Sequence, residues 1–351
     1  MSLIPATILT GFLGSGKTTL LKRVLSEAHG QKIAVIENEF GEENIDSDIL
    51  VTETKEQIVQ MSNGCICCTI REDLRATLQL LAAKKRKGML DFERVVIETT
   101  GLADPGPVAQ TFFMDDEIAE SFLLDSIITL VDAKHADKQL DDRQEARRQV
   151  GFADQIFISK TDLAAKDEVD ALVHRLKHMN PRAPMKPVHF GEVALKEVFD
   201  LRGFNLNAKL DIDPDFLKED DHAHHDHDHD HHDHDHEHGE HCDHPHHHHV
   251  DDDVKSFVFK SDRPFDAAKL EDFLGAVVNI YGPRMLRYKG VLYMQGTERK
   301  VIFQGVHQLM GSDLGPEWQA GEQRTSKMVF IGIELPKDIF LQGLEQCLLP
   351  A

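Results

Sequence analysis

Over the first 200 positions, short apolar runs alternate with longer stretches in which apolar residues recur every three or four. Residues 5–10 (Pro-Ala-Thr-Ile-Leu-Thr) read as a short buried strand. A Gly-rich turn and an amphipathic helix near residues 17–28 follow. Further strands are expected at Lys32–Ile36, Arg94–Ile97, Ser126–Val131 and Gln155–Ile158, with helical patterns between them, notably over 71–86 and 166–179. Uninterrupted apolar strands separated by helices predict an α/β domain whose mostly parallel sheet is covered on both faces. The pattern resumes at Val254. It gives a strand over Val254–Phe259, a helix over 266–279 and paired strands at Arg287–Met294 and Lys300–Val306, with Gln295-Gly296-Thr297 near the turn. A strand over 328–335 and a helix over 337–348 complete it. That βαββ(β)α order predicts a smaller α+β domain. No internal repeat is visible.

Between these patterns the composition changes abruptly. Residues 211–253 contain 16 His, 17 Asp or Glu and one Lys, so they carry -16 of the chain's -22. The folded parts are only mildly acidic. This segment has too little apolar surface to offset the entropy of ordering, and it is expected to be disordered when metal-free. The division is therefore 1–210, 211–253 and 254–351. No dense basic stripe marks a nucleic-acid partner, and no apolar run approaches a membrane span. The N-terminus lacks the features of a secretory signal. Five cysteines, three of them within four residues, do not make a disulfide framework. A reduced, cytoplasmic protein is expected.

Gly11-Phe12-Leu13-Gly14-Ser15-Gly16-Lys17-Thr18 stands between the first strand and the first helix and fits the phosphate-binding P-loop pattern. Glycines let backbone amides converge on phosphate oxygens, and the helix N-terminus favours an anion. Lys17 is expected to reach the β- and γ-phosphates, and the Thr18 hydroxyl to ligate Mg²⁺, with Thr19 beside it. A dinucleotide fingerprint fails because Thr19 stands where its third glycine belongs. Glu98 closes the third strand, where a carboxylate can hold Mg²⁺ through water, and Gly101 can bring an amide to the γ-phosphate. Ser159-Lys160-Thr161-Asp162 follows the fifth strand. A carboxylate at Asp162 can accept from guanine N1 and N2 together, for which adenine has no equivalent, and the Lys160 stem can lie over the base. GTP is therefore the expected nucleotide.

Two further motifs suggest a second metal. Cys65-Ile66-Cys67-Cys68 lies between the second strand and the next helix. Its thiols could be small buried residues, a redox pair or metal ligands. Glu37-Asn38-Glu39-Phe40-Gly41-Glu42 ends the second strand, and both loops should emerge at the nucleotide edge of the sheet. One thiolate with two carboxylates suits an open, exchangeable Zn²⁺ site rather than a closed structural one. The His222–His249 tract, beginning His222, His224, His225, His227 and His229, alternates imidazole with carboxylate. It reads either as a set of weak metal sites or as a solvated linker with incidental affinity.

GFLGSGKTT, ENEFGE, NGCICC, ETTGLADP and SKTD occur in that order. Together they resemble the CobW-like metal-associated GTPases, relatives of UreG and HypB, and in particular the zinc-linked YjiA type. The likeness spans nearly the whole chain outside the His tract. Residues 254–351, with Arg287-Tyr288-Lys289-Gly290, look like that family's C-terminal domain. The resemblance implies slow GTP hydrolysis, a metallochaperone or metal-homeostasis role with a client protein, and nucleotide- or metal-linked association of protomers. It points to Cys67, Glu37 and Glu42 as the tight metal ligands, for Zn²⁺ or else Co²⁺ or Ni²⁺. One departure is Ser159, where Asn or Thr is usual. A shorter side chain there implies weaker nucleotide binding, with guanine preference still resting on Asp162.

Overall fold

The computed structural model describes residues 3–27, 31–38, 50–51, 57–61, 69–204 and 252–350. The N-terminal unit runs β1 (Ile4–Gly11), α1 (Lys17–Glu27), β2 (Ile33–Asn38), β3 (Leu50–Val51), β4 (Gln57–Met61), α2 (Thr69–Arg86), β5 (Arg94–Glu98), α3 (Pro105–Met114) and α4 (Asp116–Ala119). It continues through β6 (Phe122–Asp132), α5 (Ala136–Asp142), α6 (Gln144–Phe152), β7 (Gln155–Ser159), α7 (Lys166–Met179) and β8 (Met185–Val188). Among the described residues the strands form one sheet in the order β3-β4-β2-β5-β1-β6-β7-β8. Only β3 runs antiparallel to its neighbour.

Alternation along the strands feeds two cores. Ile4, Ala6 and Ile8 of β1 join Leu74 and Leu78 of α2, Val108 and Phe112 of α3 and Val150 of α6. Leu9 points the other way, onto Leu20, Leu21 and Val24 of α1. A sheet buried on both faces explains why its strands lack a polar side.

The C-terminal unit comprises β9 (Val254–Ser261), α8 (Ala267–Tyr281), β10 (Met285–Leu292), β11 (Arg299–Val306), β12 (Leu309–Glu317), β13 (Ser326–Ile333) and α9 (Lys337–Gln346). Its sheet is antiparallel, in the order β12-β11-β10-β13-β9. Met328 and Phe330 of β13 pack with Leu270 and Leu274 of α8 and with Phe340 and Leu344 of α9. Val329, Ile331 and Ile333, on the opposite face, belong to the same core cluster as Val150 and Phe152 of α6. At the contact Gly151 leaves no room for a side chain, because a Cβ there would lie 2.6 Å from Leu286 Cδ1. The two units therefore share a core.

The elements expected from the pattern are present, with shifted ends. The structure adds β3, β4, β8 and β12, and it gives bounds to the helices α3, α4, α5 and α6 between the expected strands. The Cys65–Cys68 motif consequently follows β4 rather than β2 directly. The expected disorder of 211–253 concerns residues outside those described, apart from Asp252 and Asp253. No helix among the described residues is long and apolar enough to cross a membrane.

Candidate nucleotide site

The carboxyl end of β1 opens into the P-loop. Gly14 and Gly16 take φ of 76° and 98°, a backbone state that side chains disfavour and in which successive amides can converge on an anion. Lys17 occupies the first position of α1 and is buried. Its Nζ donates to the carbonyls of Gly11 (2.9 Å) and Phe12 (3.2 Å). Burial lowers its pKa, and the charge of Glu98 pulls it back up. The Thr18 hydroxyl donates to Glu98 Oε1 at 2.8 Å. One oxygen from the P-loop and one from the end of β5 thus meet beside an ammonium. That donor set fits a triphosphate with Mg²⁺.

The loop after β5 is held from both sides. Thr99 N donates to Leu9 O at 3.0 Å, and Thr99 Oγ1 to Thr10 Oγ1 at 2.9 Å. A Cβ at Gly101 would lie 2.6 Å from Leu13 N, so only glycine brings this backbone so close to the P-loop. Buried Gln149 of α6 donates through Nε2 to Gly101 O (3.1 Å) and Ala103 O (3.0 Å).

On the base side, Ser159 Oγ donates to Ser15 O at 2.7 Å and ties the end of β7 to the P-loop. The short hydroxyl reaches because residue 159 is buried directly against that loop. Lys160 adopts φ 57°, and its Nζ donates to Asp132 Oδ2 at 2.7 Å. Burial pushes the Asp132 carboxyl up, but hydrogen bonds from Lys160 and His135 outweigh it and hold the group below the usual range. Asp162 lies half-exposed at the rim, 3.6 Å from His189 Nδ1. The loop His189-Phe190-Gly191 is seated on α1, since a Cβ at Gly191 would lie 2.9 Å from Leu20 Cα.

The structure thus gathers Gly11, Gly14, Ser15, Gly16, Lys17, Thr18, Thr19, Glu98, Gly101 and Ser159 at one sheet edge, with Lys160 and Asp162 at its rim. It adds Gln149, Asp132 and His189, for which the sequence carries no local signal. Of the second-metal candidates, Glu37 stands on β2 in register with Glu98 on the adjacent strand. Glu42, Cys67 and His222, His224, His225, His227 and His229 lie outside the described residues. Among the described residues no group of three or more potential ligands is arranged to hold a metal ion.

The sequence models of two known domains match this chain. The CobW/HypB/UreG nucleotide-binding domain covers residues 5–187, and the cobalamin synthesis protein cobW C-terminal domain covers 254–348. The chain is 39% identical to the zinc chaperone YjiA of Escherichia coli over 339 residues, 96% of each protein. It is 32% identical to the zinc chaperone CobW of Pseudomonas aeruginosa, covering 98% of this chain and 92% of that one. It is also 32% identical to a zinc-regulated GTPase metalloprotein activator of Dictyostelium discoideum, covering 84% of this chain and 64% of that one. The crystal structure of Zn(II)-bound YjiA GTPase from E. coli superimposes with a TM-score of 0.75 at 35% identity, over 99% of both chains.

Proposed function

Because the chain belongs to the CobW/HypB/UreG family of P-loop GTPases, we propose that it is a zinc metallochaperone whose GTP state governs an exchangeable metal site one strand away. The observation that supports this most directly is the register of β2 on β5, which sets Glu37 beside the Glu98 that bonds Thr18. In this reading Lys17, Thr18 and the P-loop amides hold the triphosphate, and Thr18 and Glu98 would hold Mg²⁺, which would neutralise charge on the phosphates. Water attacks the γ-phosphorus, and GDP and phosphate leave. The Gly101 amide, fixed by Gln149, follows the γ-phosphate, and Asp162 selects guanine. Zn²⁺, or Co²⁺ or Ni²⁺, is cargo on Cys67, Glu37 and Glu42. Its transfer to a client protein requires the two nucleotide states to differ in metal affinity.

Replacing Cys67 by alanine should remove the tightest Zn²⁺ site and leave GTP binding intact, because two carboxylates alone make a weak, oxygen-only site. In the unaltered chain GTP and Zn²⁺ should change each other's affinity by the same factor, within roughly 5- to 150-fold. Chelator competition with and without a non-hydrolysable GTP analogue measures that factor. Independent affinities would defeat the coupling.

Asp162→Asn should turn preference from GTP towards XTP by at least about tenfold in kcat/KM, since an amide donates where xanthine accepts. A wild-type preference for ATP would remove Asp162 from base recognition.

A second reading, a metal buffer or sensor with GTP as a conformational ligand, is favoured by the 16 imidazoles of residues 211–253. Deleting 222–249 separates the two. A metallochaperone should lose several weak sites by isothermal titration and keep its GTPase rate. A buffer should lose most of its metal-linked behaviour.

A further inference from the structure

α7 buries Leu172, Leu176 and Met179 and turns His174 and His178 to solvent. These two histidines are four residues apart, so they stand one above the other on the helix. Their ring centroids are 4.6 Å apart, with the planes inclined by 42°. Chelation sets a specific spacing. With metal–nitrogen bonds of about 2.0–2.1 Å and about 1.2 Å from nitrogen to ring centre, two imidazoles at a right angle about one ion hold their centroids about 4.5 Å apart, against about 5.2 Å for a tetrahedral angle. At 4.6 Å the two rings are close enough to reach one ion, nearer the right-angled spacing than the tetrahedral one.

Arg175, between the two histidines, is bound by carboxylates: its Nε donates to Asp252 Oδ2 at 2.8 Å, and its Nη2 pairs with Asp252 Oδ1 and Asp141 Oδ1, each at 2.7 Å. Asp137 adds a third carboxylate at 3.5 Å. The same contacts fix where the His-rich tract rejoins the folded protein. Asp252 is clamped to α7, and Ser256 Oγ donates to His178 O at 2.6 Å. In the sequence, the last histidine of the tract precedes Asp252 by three residues.

We propose that His174 and His178 form a two-imidazole site for a divalent, imidazole-seeking cation on the GTPase domain, positioned at the root of the His/Asp tract to take ions from it. The site is separate from Glu37, Glu42 and Cys67, and its existence does not depend on that assignment. Two protein ligands leave the remaining positions to water. The ion is therefore held exchangeably rather than locked in place.

Carbethoxylation of histidines by diethylpyrocarbonate, mapped by peptide mass spectrometry on the full chain with and without Ni²⁺ or Cu²⁺, reads each imidazole separately. Metal should protect His174 and His178 together, at one concentration, while half-exposed His189 continues to react. In His178→Ala, protection of His174 should require on the order of 10²-fold more metal, because the chelate is lost. His174→Gln should do the same to His178. Both substitutions are on the exposed face of α7, and unchanged helix content and GTPase rate would establish that the fold is intact. Protection should persist in a chain lacking 222–249. If His174 stayed equally protected in His178→Ala, or if protection vanished with the tract, the ion would belong elsewhere and the site would be refuted.

Discussion

Lys17→Ala is expected to abolish GTP turnover in a protein that still folds. The fold loses little, because the ammonium bonds only to the carbonyls of Gly11 and Phe12, at 2.9 and 3.2 Å, within the same loop. Catalysis loses the cation placed where charge develops on the β,γ-bridge and γ-phosphate oxygens. Removing one such preorganised donor costs about 3–4 kcal/mol of transition-state stabilisation, or on the order of 10²–10³ in kcat, and a full charge should cost at least that. Glu98, which accepts from Thr18, also bears on the ammonium: against the larger lowering by burial, its charge raises the Lys17 pKa. Single-turnover phosphate release in the variant, alongside its thermal unfolding, is the measurement. An undiminished rate in a folded Lys17→Ala chain would remove the P-loop from the mechanism.

What the sequence made visible, and what it hid, divide along a physical line. The P-loop was legible because its glycines, lysine and threonine are contiguous and their conformational requirement is local. The strands β1, β5, β6 and β7 were legible because burial on both faces leaves them uniformly apolar. β12 was not: Leu309–Glu317 is an edge strand, mostly exposed and containing Gly and Pro, so nothing in its side chains records the pairing with β11. β8, Met-Lys-Pro-Val, is short and carries a proline. The missed site residues are long-range partners. Gln149 reaches a carbonyl 48 positions away, and Asp132 takes the Lys160 ammonium from 28 positions away. Neither side chain differs in type from a surface residue. Ser159, the departure from the usual motif residue, donates its hydroxyl to the Ser15 carbonyl.

Asp154→Ala should destabilise the whole protein by about 3–5 kcal/mol, a large share of an ordinary stability of about 5–15 kcal/mol. Asp154 follows α6 in the N-terminal unit, and Arg287 projects from β10 in the C-terminal one. Their side chains are each only 2% exposed and meet in a two-pronged pair at 2.7 and 3.0 Å. Asp154 also accepts from Arg182 at 3.2 Å and from Ile127 N at 3.0 Å. Arg287 donates to Gly203 O at 2.6 Å and stacks over Phe204, 3.7 Å from its ring centre. Burial, helped by the charge of Arg182, outweighs the upward pull of Asp154 and brings the Arg287 pKa down to about 9. Deleting the carboxylate leaves a desolvated guanidinium with no counter-charge and a second arginine beside it, and neither can relax to solvent without opening the shared core. Arg287→Leu is the milder change, at about 1–3 kcal/mol, because Asp154 keeps Arg182 and the Ile127 amide while only the Gly203 and Phe152 carbonyls lose a donor. Urea unfolding followed both by circular dichroism and by fluorescence of Trp318, the chain's only tryptophan, reports the whole protein and the C-terminal sheet separately. Both probes should shift together, and further for Asp154→Ala than for Arg287→Leu. The opposite order would mean that hydrophobic contact at the domain boundary, not the ion pair, sets its strength.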